Sequence, residues 1–178
     1  MAVTTQAYAD EEANRTADSY SAEEQLIRVG TTSLNVLRDY FRLVSRKDGG
    51  KIVYDMQPLN GPASAGDTLA VRLTVTGVEQ RYLMIEDPIP AGTEFIARDL
   101  GYEIRGAPDS WQTFFSRREL HDDRMAIFET YFPQGQRQFV YLLKVVNPGV
   151  FQVSPARVAP MYQHSIMATS EPRRLEVK

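Results

Sequence analysis

The chain has 178 residues, of which 43% are apolar, with a formal net charge of −3 and no cysteine. That length suits one domain plus a flanking segment, and so small a charge leaves no electrostatic footprint for nucleic acid. The missing thiol excludes disulfides, cysteine–zinc sites and a thiol nucleophile, and no run approaches the roughly 18 apolar residues of a membrane helix.

Residues 1–30 read as a leader, poorly ordered or forming a short helix, and residues 31–178 as the domain proper. Ser21-Ala22-Glu23-Glu24 has capping-box spacing and could open a helix through Val29. The first six residues have no basic flank and no apolar run, so they carry no targeting signal. From Leu34 the pattern turns to strands. Leu34, Val36, Arg38, Tyr40 and Arg42 share one face by period two, and Leu37, Phe41 and Leu43 the other. Helical spacing fits part of this stretch as well, and its β-branched and aromatic residues tilt it toward strand.

Asp48-Gly49-Gly50 predicts a turn and Ile52-Val53-Tyr54 a short strand. Residues 61–67 carry loop chemistry. In residues 68–76, Leu69, Val71, Leu73 and Val75 alternate with Ala70, Arg72, Thr74 and Thr76, which predicts one buried and one wet face. Residues 82–86 form the next predicted strand, stopped by Pro88 and Pro90, and residues 93–97 resume extended structure. Residues 99–123 have no clean period. They hold Trp111, Phe114 and Phe115 and read as a long connection with at most one helical turn.

Residues 125–132 and 139–146 predict strands, the second apolar on both faces as a central strand should be. Residues 150–153 and 174–177 complete the set. Eight to nine short strands separated by Pro and Gly predict an all-β, antiparallel β-sandwich.

The search for chemistry is mostly negative. Ser116, His121 and Asp123 could nominally form a hydrolytic triad, but no Gly-x-Ser-x-Gly elbow accompanies them. Glu119 to Asp123 is rich in potential ligands yet lacks His-Glu-x-x-His spacing and any calcium loop, so a tight acidic turn facing Arg124 is expected. Hence no catalytic, cofactor-binding or metal residue is assigned. Asn14-Arg15-Thr16 is a sequon of the kind that arises by chance. Pro155 to Tyr162 reads as a restricted loop presenting Met161 and Tyr162, a flexible thioether beside an amphipathic phenol. The pair could cap the domain's own core or cover another surface; sequence physics alone favours the former.

A set of motifs in order carries a family resemblance. Gly66-Asp67-Thr68-Leu69-Ala70-Val71-Arg72-Leu73-Thr74-Val75 is followed by Tyr82-Leu83-Met84-Ile85-Glu86-Asp87-Pro88-Ile89-Pro90-Ala91-Gly92-Thr93-Glu94. Then come Arg118-Glu119-Leu120-His121-Asp122-Asp123-Arg124, Phe139-Val140-Tyr141-Leu142-Leu143-Lys144, Pro148-Gly149-Val150-Phe151 and Met161-Tyr162. Over about residues 34–178 the chain resembles the last macroglobulin-like (MG10-type) domain of bacterial α2-macroglobulins. It departs in residues 164–170, where the family often has a Gly-Ser stretch, and at Thr32 and Ser33, where a glycine is usual.

The resemblance implies a non-catalytic clasp domain of an envelope or periplasmic protease trap. Its expected partners are the helical thioester domain and neighbouring macroglobulin domains of the same parent chain, with target proteases met only indirectly. It also implies that Tyr162, with Met161 beside it, lies near the thioester and keeps water from it. The alternative is a free-standing sandwich of the cell envelope, binding a carbohydrate or an adhesin-type partner through Trp111, Phe114 and Phe115.

Overall fold

A computed structural model describes residues 34–97, 101–107, 116–163 and 165–178. The leader, the helix suggested for Ser21 to Val29, and Trp111, Phe114 and Phe115 lie outside the described residues. The described chain contains strands and no α-helix.

The long strand β1 (Leu34–Asp48) turns at Gly49 and Gly50 into β2 (Lys51–Pro58). Both glycines have positive φ, 54° and 86°. A two-residue hairpin loop needs that left-handed backbone to match the twist of its strands. Its other half pairs with β3 (Thr68–Gly77), so that one strand serves two neighbours in succession. After β4 (Gln80–Pro88), β5 (Thr93–Phe95) and β6 (Ile104–Arg105), the hairpin β7 (Ser116–Leu120) and β8 (Arg124–Phe132) leads to β9 (Gly135–Val145). The last strands are β10 (Gly149–Val153), β11 (Arg157–Pro160), β12 (Ala168–Thr169) and β13 (Arg173–Val177).

These strands form a six-stranded sheet ordered β5-β9-β3-β1-β2-β6, a five-stranded sheet ordered β12-β11-β4-β8-β7, and a β10-β13 ribbon. Every strand pair is antiparallel except the two-residue contact of β2 with β6. The antiparallel sandwich expected from the sequence is the observed fold, with thirteen strands among the described residues where eight to nine are expected.

Three differences account for the larger number. The connection expected at 99–123 contains β6 and the edge strand β7. The loop expected at Pro155 to Tyr162 contains β11, which pairs with β4 on one side and β12 on the other. And β12 is only two residues long. All three are too short or too Pro-flanked for a period to develop.

The core lies between the sheets. Val36, Leu69, Leu73, Leu83, Ile85, Ile127, Leu143 and Val158 are each no more than 1% exposed. Each such side chain contributes about 1.5–3 kcal/mol of burial. The outer face of β3 is not simply wet, as its alternation predicts. Ala70 joins Phe41, Leu43, Val140 and Leu142 in a second cluster, covered by Tyr54, Met56, Ile96, Tyr102 and Ile104. Arg72 stays on that face by lying over the Phe41 ring, 4.6 Å from its centroid, and bonding Asp39 at 3.0 Å.

Candidate functional site

Met161 and Tyr162 follow directly on Pro160, the last residue of β11, and sit in the turn beyond it. β11 is held along its whole length. At its start, the Ala156 amide donates to Ser170 Oγ at 2.9 Å, and the Ser170 amide donates back to the Ala156 carbonyl. Along its middle, Arg157 to Pro160 pair with Glu86 to Leu83 of β4. At its end, the Met161 amide donates to the Tyr82 carbonyl at 2.8 Å. Tyr162 is therefore presented by a sheet and not by a free loop.

The Tyr162 side chain is 74% exposed and Met161 37%. Tyr162 does not cap the domain's own core. Its ring meets Tyr82 edge-on, with centroids 5.6 Å apart and planes at 80°. Such a pair contributes roughly 0.5–1.5 kcal/mol beyond the area it buries. Beside the two rings lies a groove of about 400 Å³, lined among others by Glu79, Arg81, Pro160 and Gln163.

Tyr82 itself is unusual. Its φ is +55°, and among the described residues it is the one non-glycine with positive φ. For a bulky side chain that conformation costs roughly 1–2 kcal/mol. The ladder does not slip around it: Arg81 faces Tyr131 and Leu83 faces Glu129. What changes is the inside–outside phase. On β8, Met125, Ile127 and Glu129 are buried, Thr130 and Tyr131 are exposed, and Phe132 is buried again. Next to the left-handed residue Phe132 lies in the core, while Tyr82, Tyr131 and Tyr162 stand at the surface.

At the end of β11 away from the corner, a charged cluster ties the sheets together. Arg38 of β1 donates to Asp87 Oδ1 of β4 at 2.6 Å, and Tyr141 of β9 donates to Asp87 Oδ2 at 2.7 Å. Arg38 also donates to the Ser154 carbonyl at 2.9 Å, just ahead of β11. Burial pushes the Asp87 carboxyl above its usual range, and Arg38 and Tyr141 offset this only in part. Burial likewise raises the Tyr40 and Tyr141 phenols. Sequence reasoning placed Arg38 on the apolar face of β1 without drawing the consequence. A cation at a core position requires an anion, and Asp87, in phase with Leu83 and Ile85, is the matching anomaly.

The polar groups between β7 and β8 form an ordinary turn. The His121 amide donates to the Arg124 carbonyl at 3.0 Å, closing the β7–β8 hairpin, and Arg124 bonds Asp123 at 3.2 Å. His121 lies 3.7 Å from Glu119. Ser116 opens β7, and His121 follows the last residue of that strand. Among the described residues, no three His, Asp or Glu side chains group as a metal site. His164 lies outside the described residues.

The family model for the bacterial α2-macroglobulin MG10 domain matches residues 34–164. Among curated proteins, α2-macroglobulin of Thermotoga maritima is 30% identical over 128 residues, covering 68% of this chain and 8% of its own length. The α2-macroglobulin homolog of Nostoc sp. is 30% identical over 86 residues, 46% of this chain and 4% of its own. The chain thus spans less than a tenth of the length of these relatives. Among solved structures, Salmonella α2-macroglobulin reacted with methylamine superposes with a TM-score of 0.67 at 23% identity, covering 83% of this chain and 9% of that one. Native Escherichia coli α2-macroglobulin, from domain MG7 to the C-terminus, gives 0.63 at 22%, covering 83% and 24%. The structural likenesses speak to the fold. The match across 34–164, in a sandwich whose β11 runs on into the turn at Met161 and Tyr162, shows that this chain belongs to the bacterial α2-macroglobulins, as an MG10 domain.

Proposed function

We propose that this chain is the clasp of a bacterial protease trap, with residues 31–178 as its domain unit. It docks on a helical thioester domain of the same longer protein, and the Met161–Tyr162 corner covers the thioester. Neighbouring macroglobulin domains complete its surroundings. Proteases are met by the trap as a whole, in the periplasm or cell envelope, and the domain itself catalyses nothing.

The observation that carries this reading is the exposure of Tyr162, 74%, in the turn directly beyond a strand fixed at both ends. A thioester survives only where water is kept from its carbonyl, and an apolar ring laid over it lowers the local water concentration. Tyrosine suits the task, having a flat apolar body and a polar tip that tolerates solvent before docking. Tyr and Met are also residue types enriched at the centres of protein interfaces. Mounting the ring on a sheet keeps the ordering cost of docking low.

The test is Tyr162→Ala in the intact protein that carries this domain. Two quantities are followed without protease: methylamine-reactive thioester over time, and the closed form by native-gel mobility. An interface anchor of this kind predicts decay faster by about tenfold or more. Unchanged lifetimes in both measurements would overturn the reading.

A further inference from the structure

We propose that Tyr82 is the positioning residue of the Met161–Tyr162 corner, its ring held beneath Tyr162 by a left-handed backbone that the position retains at a cost in strain. The inference rests on the lid reading above and deepens it.

Three observations converge on Tyr82. Its φ is +55° in the middle of a strand whose ladder is intact on both sides. Its carbonyl accepts the Met161 amide, the last main-chain tie before Tyr162. Its ring is the edge-on partner of the Tyr162 ring. One residue therefore fixes both the main chain and the side chain of the corner.

The backbone requirement alone does not explain a tyrosine. The left-handed conformation lies opposite the burial-phase change on β8, and glycine or asparagine would adopt it with less strain. A tyrosine there keeps the strain and adds a half-exposed ring, 48% accessible. What that ring touches is Tyr162. Strain retained beside an exposed aromatic pair is the pattern of a preorganised contact, in which Tyr162 meets its partner surface in one attitude. Without the Tyr82 ring, Tyr162 keeps its place in the chain and loses its orientation.

Substitutions at Tyr82 separate ring from backbone. Tyr82→Asn and Tyr82→Gly accept the left-handed conformation and delete the ring; Tyr82→Phe keeps the ring. In the 178-residue chain, proton NMR reads the ring-current shifts of Tyr162 and the cross-relaxation between the two rings. In the intact protein, the closed-form lifetime is read by native-gel mobility, and by methylamine uptake where a Cys-x-Glu-Gln thioester is present.

The expected result is loss of the Tyr162 ring-current shift in Tyr82→Asn and Tyr82→Gly. Their lifetimes should shorten about three- to tenfold, as the loss of one edge-on aromatic pair predicts. Tyr82→Phe should behave as wild type. Adding Tyr82→Asn to Tyr162→Ala should shorten the lifetime no further. Tyr162 resonances that stay in place in Tyr82→Asn would overturn the inference, whatever the lifetimes. A shortened lifetime in Tyr162→Ala with none in Tyr82→Asn would overturn it too, while leaving the lid reading intact. Full lifetimes in Tyr162→Ala would instead remove the lid reading, and the NMR comparison would still decide whether Tyr82 positions the ring.

Discussion

Arg38 and Asp87 meet across the space between the two sheets at 2.6 Å, with side chains 1% and 0% exposed. They are 49 residues apart in sequence and belong to strands of different sheets. Removing either partner leaves the other charge buried without its counter-ion, which typically costs about 3–5 kcal/mol. Asp87→Ala and Arg38→Met should each lower unfolding free energy by that amount in urea titrations. Arg38→Met combined with Asp87→Leu should recover part of the loss, because no lone charge remains. If either single variant unfolds within about 0.5 kcal/mol of wild type, as a surface change would, the pair does not staple the sandwich.

Alkaline pH should unfold this domain more steeply than its surface charges suggest. Tyr40 and Tyr141 both have phenols raised above the ordinary value of 10.0 by burial. Above pH 10 the unfolded chain releases these protons while the folded chain keeps them. Stability is therefore fully present below pH 10 and lost as pH rises beyond it. Each group adds a slope of about 1.4 kcal/mol per pH unit, so the two together add about 2.7. Urea titrations between pH 9 and 11 should show that slope setting in, at about half its full value at pH 10, and Tyr40→Phe should halve it. A slope the same in Tyr40→Phe as in wild type would contradict the assignment.

Gly92 is required for space, not for its backbone angle. A Cβ placed there would run into the Phe151 ring and come within 2.9 Å of the Asn147 carbonyl oxygen. The Gly92 carbonyl also accepts the amides of Val146 and Asn147 at 2.9 and 3.2 Å, so the turn cannot back away freely. Gly92→Ala should destabilise by roughly 1–3 kcal/mol, the usual cost of overpacking. In a Phe151→Ala background the same change should cost markedly less, because the ring is gone. Equal costs in both backgrounds would place the strain elsewhere.

How much of this was legible in the sequence depends on how each feature is encoded. β3 was legible because Leu69, Val71, Leu73 and Val75 alternate over a full strand and end on the core side. β11 was not, because Pro155 and Pro160 mark a loop by composition, while pairing with β4 and β12 makes four residues a strand. The charged cluster was half legible. Arg38 and Asp87 each break an apolar phase, but nothing local pairs one with the other. Met161 and Tyr162 were singled out, yet their exposure depends on where β11 stops. Tyr82 was illegible as a left-handed residue, since tyrosine in a strand is an ordinary choice and no turn residue flags the positive φ.

Tyr162 should matter for docking and hardly at all for the stability of the domain that carries it. Its side chain is 74% exposed, and among the described residues its ring pairs with Tyr82, itself half exposed. Truncation removes at most one edge-on aromatic pair and opens no cavity, so Tyr162→Ala should cost no more than about 1 kcal/mol in the isolated chain. Val158 offers the contrast: it lies on β11, just ahead of the corner, is 0% exposed, and its truncation to Ala should cost about 2 kcal/mol or more. Thermal melts of both variants make the comparison directly. A Tyr162→Ala loss as large as that of Val158→Ala would mean the ring serves the domain's own fold. A small loss would leave the exposed ring free for a partner, since a residue that costs little to remove from the folded domain contributes its energy, if anywhere, on the surface it meets.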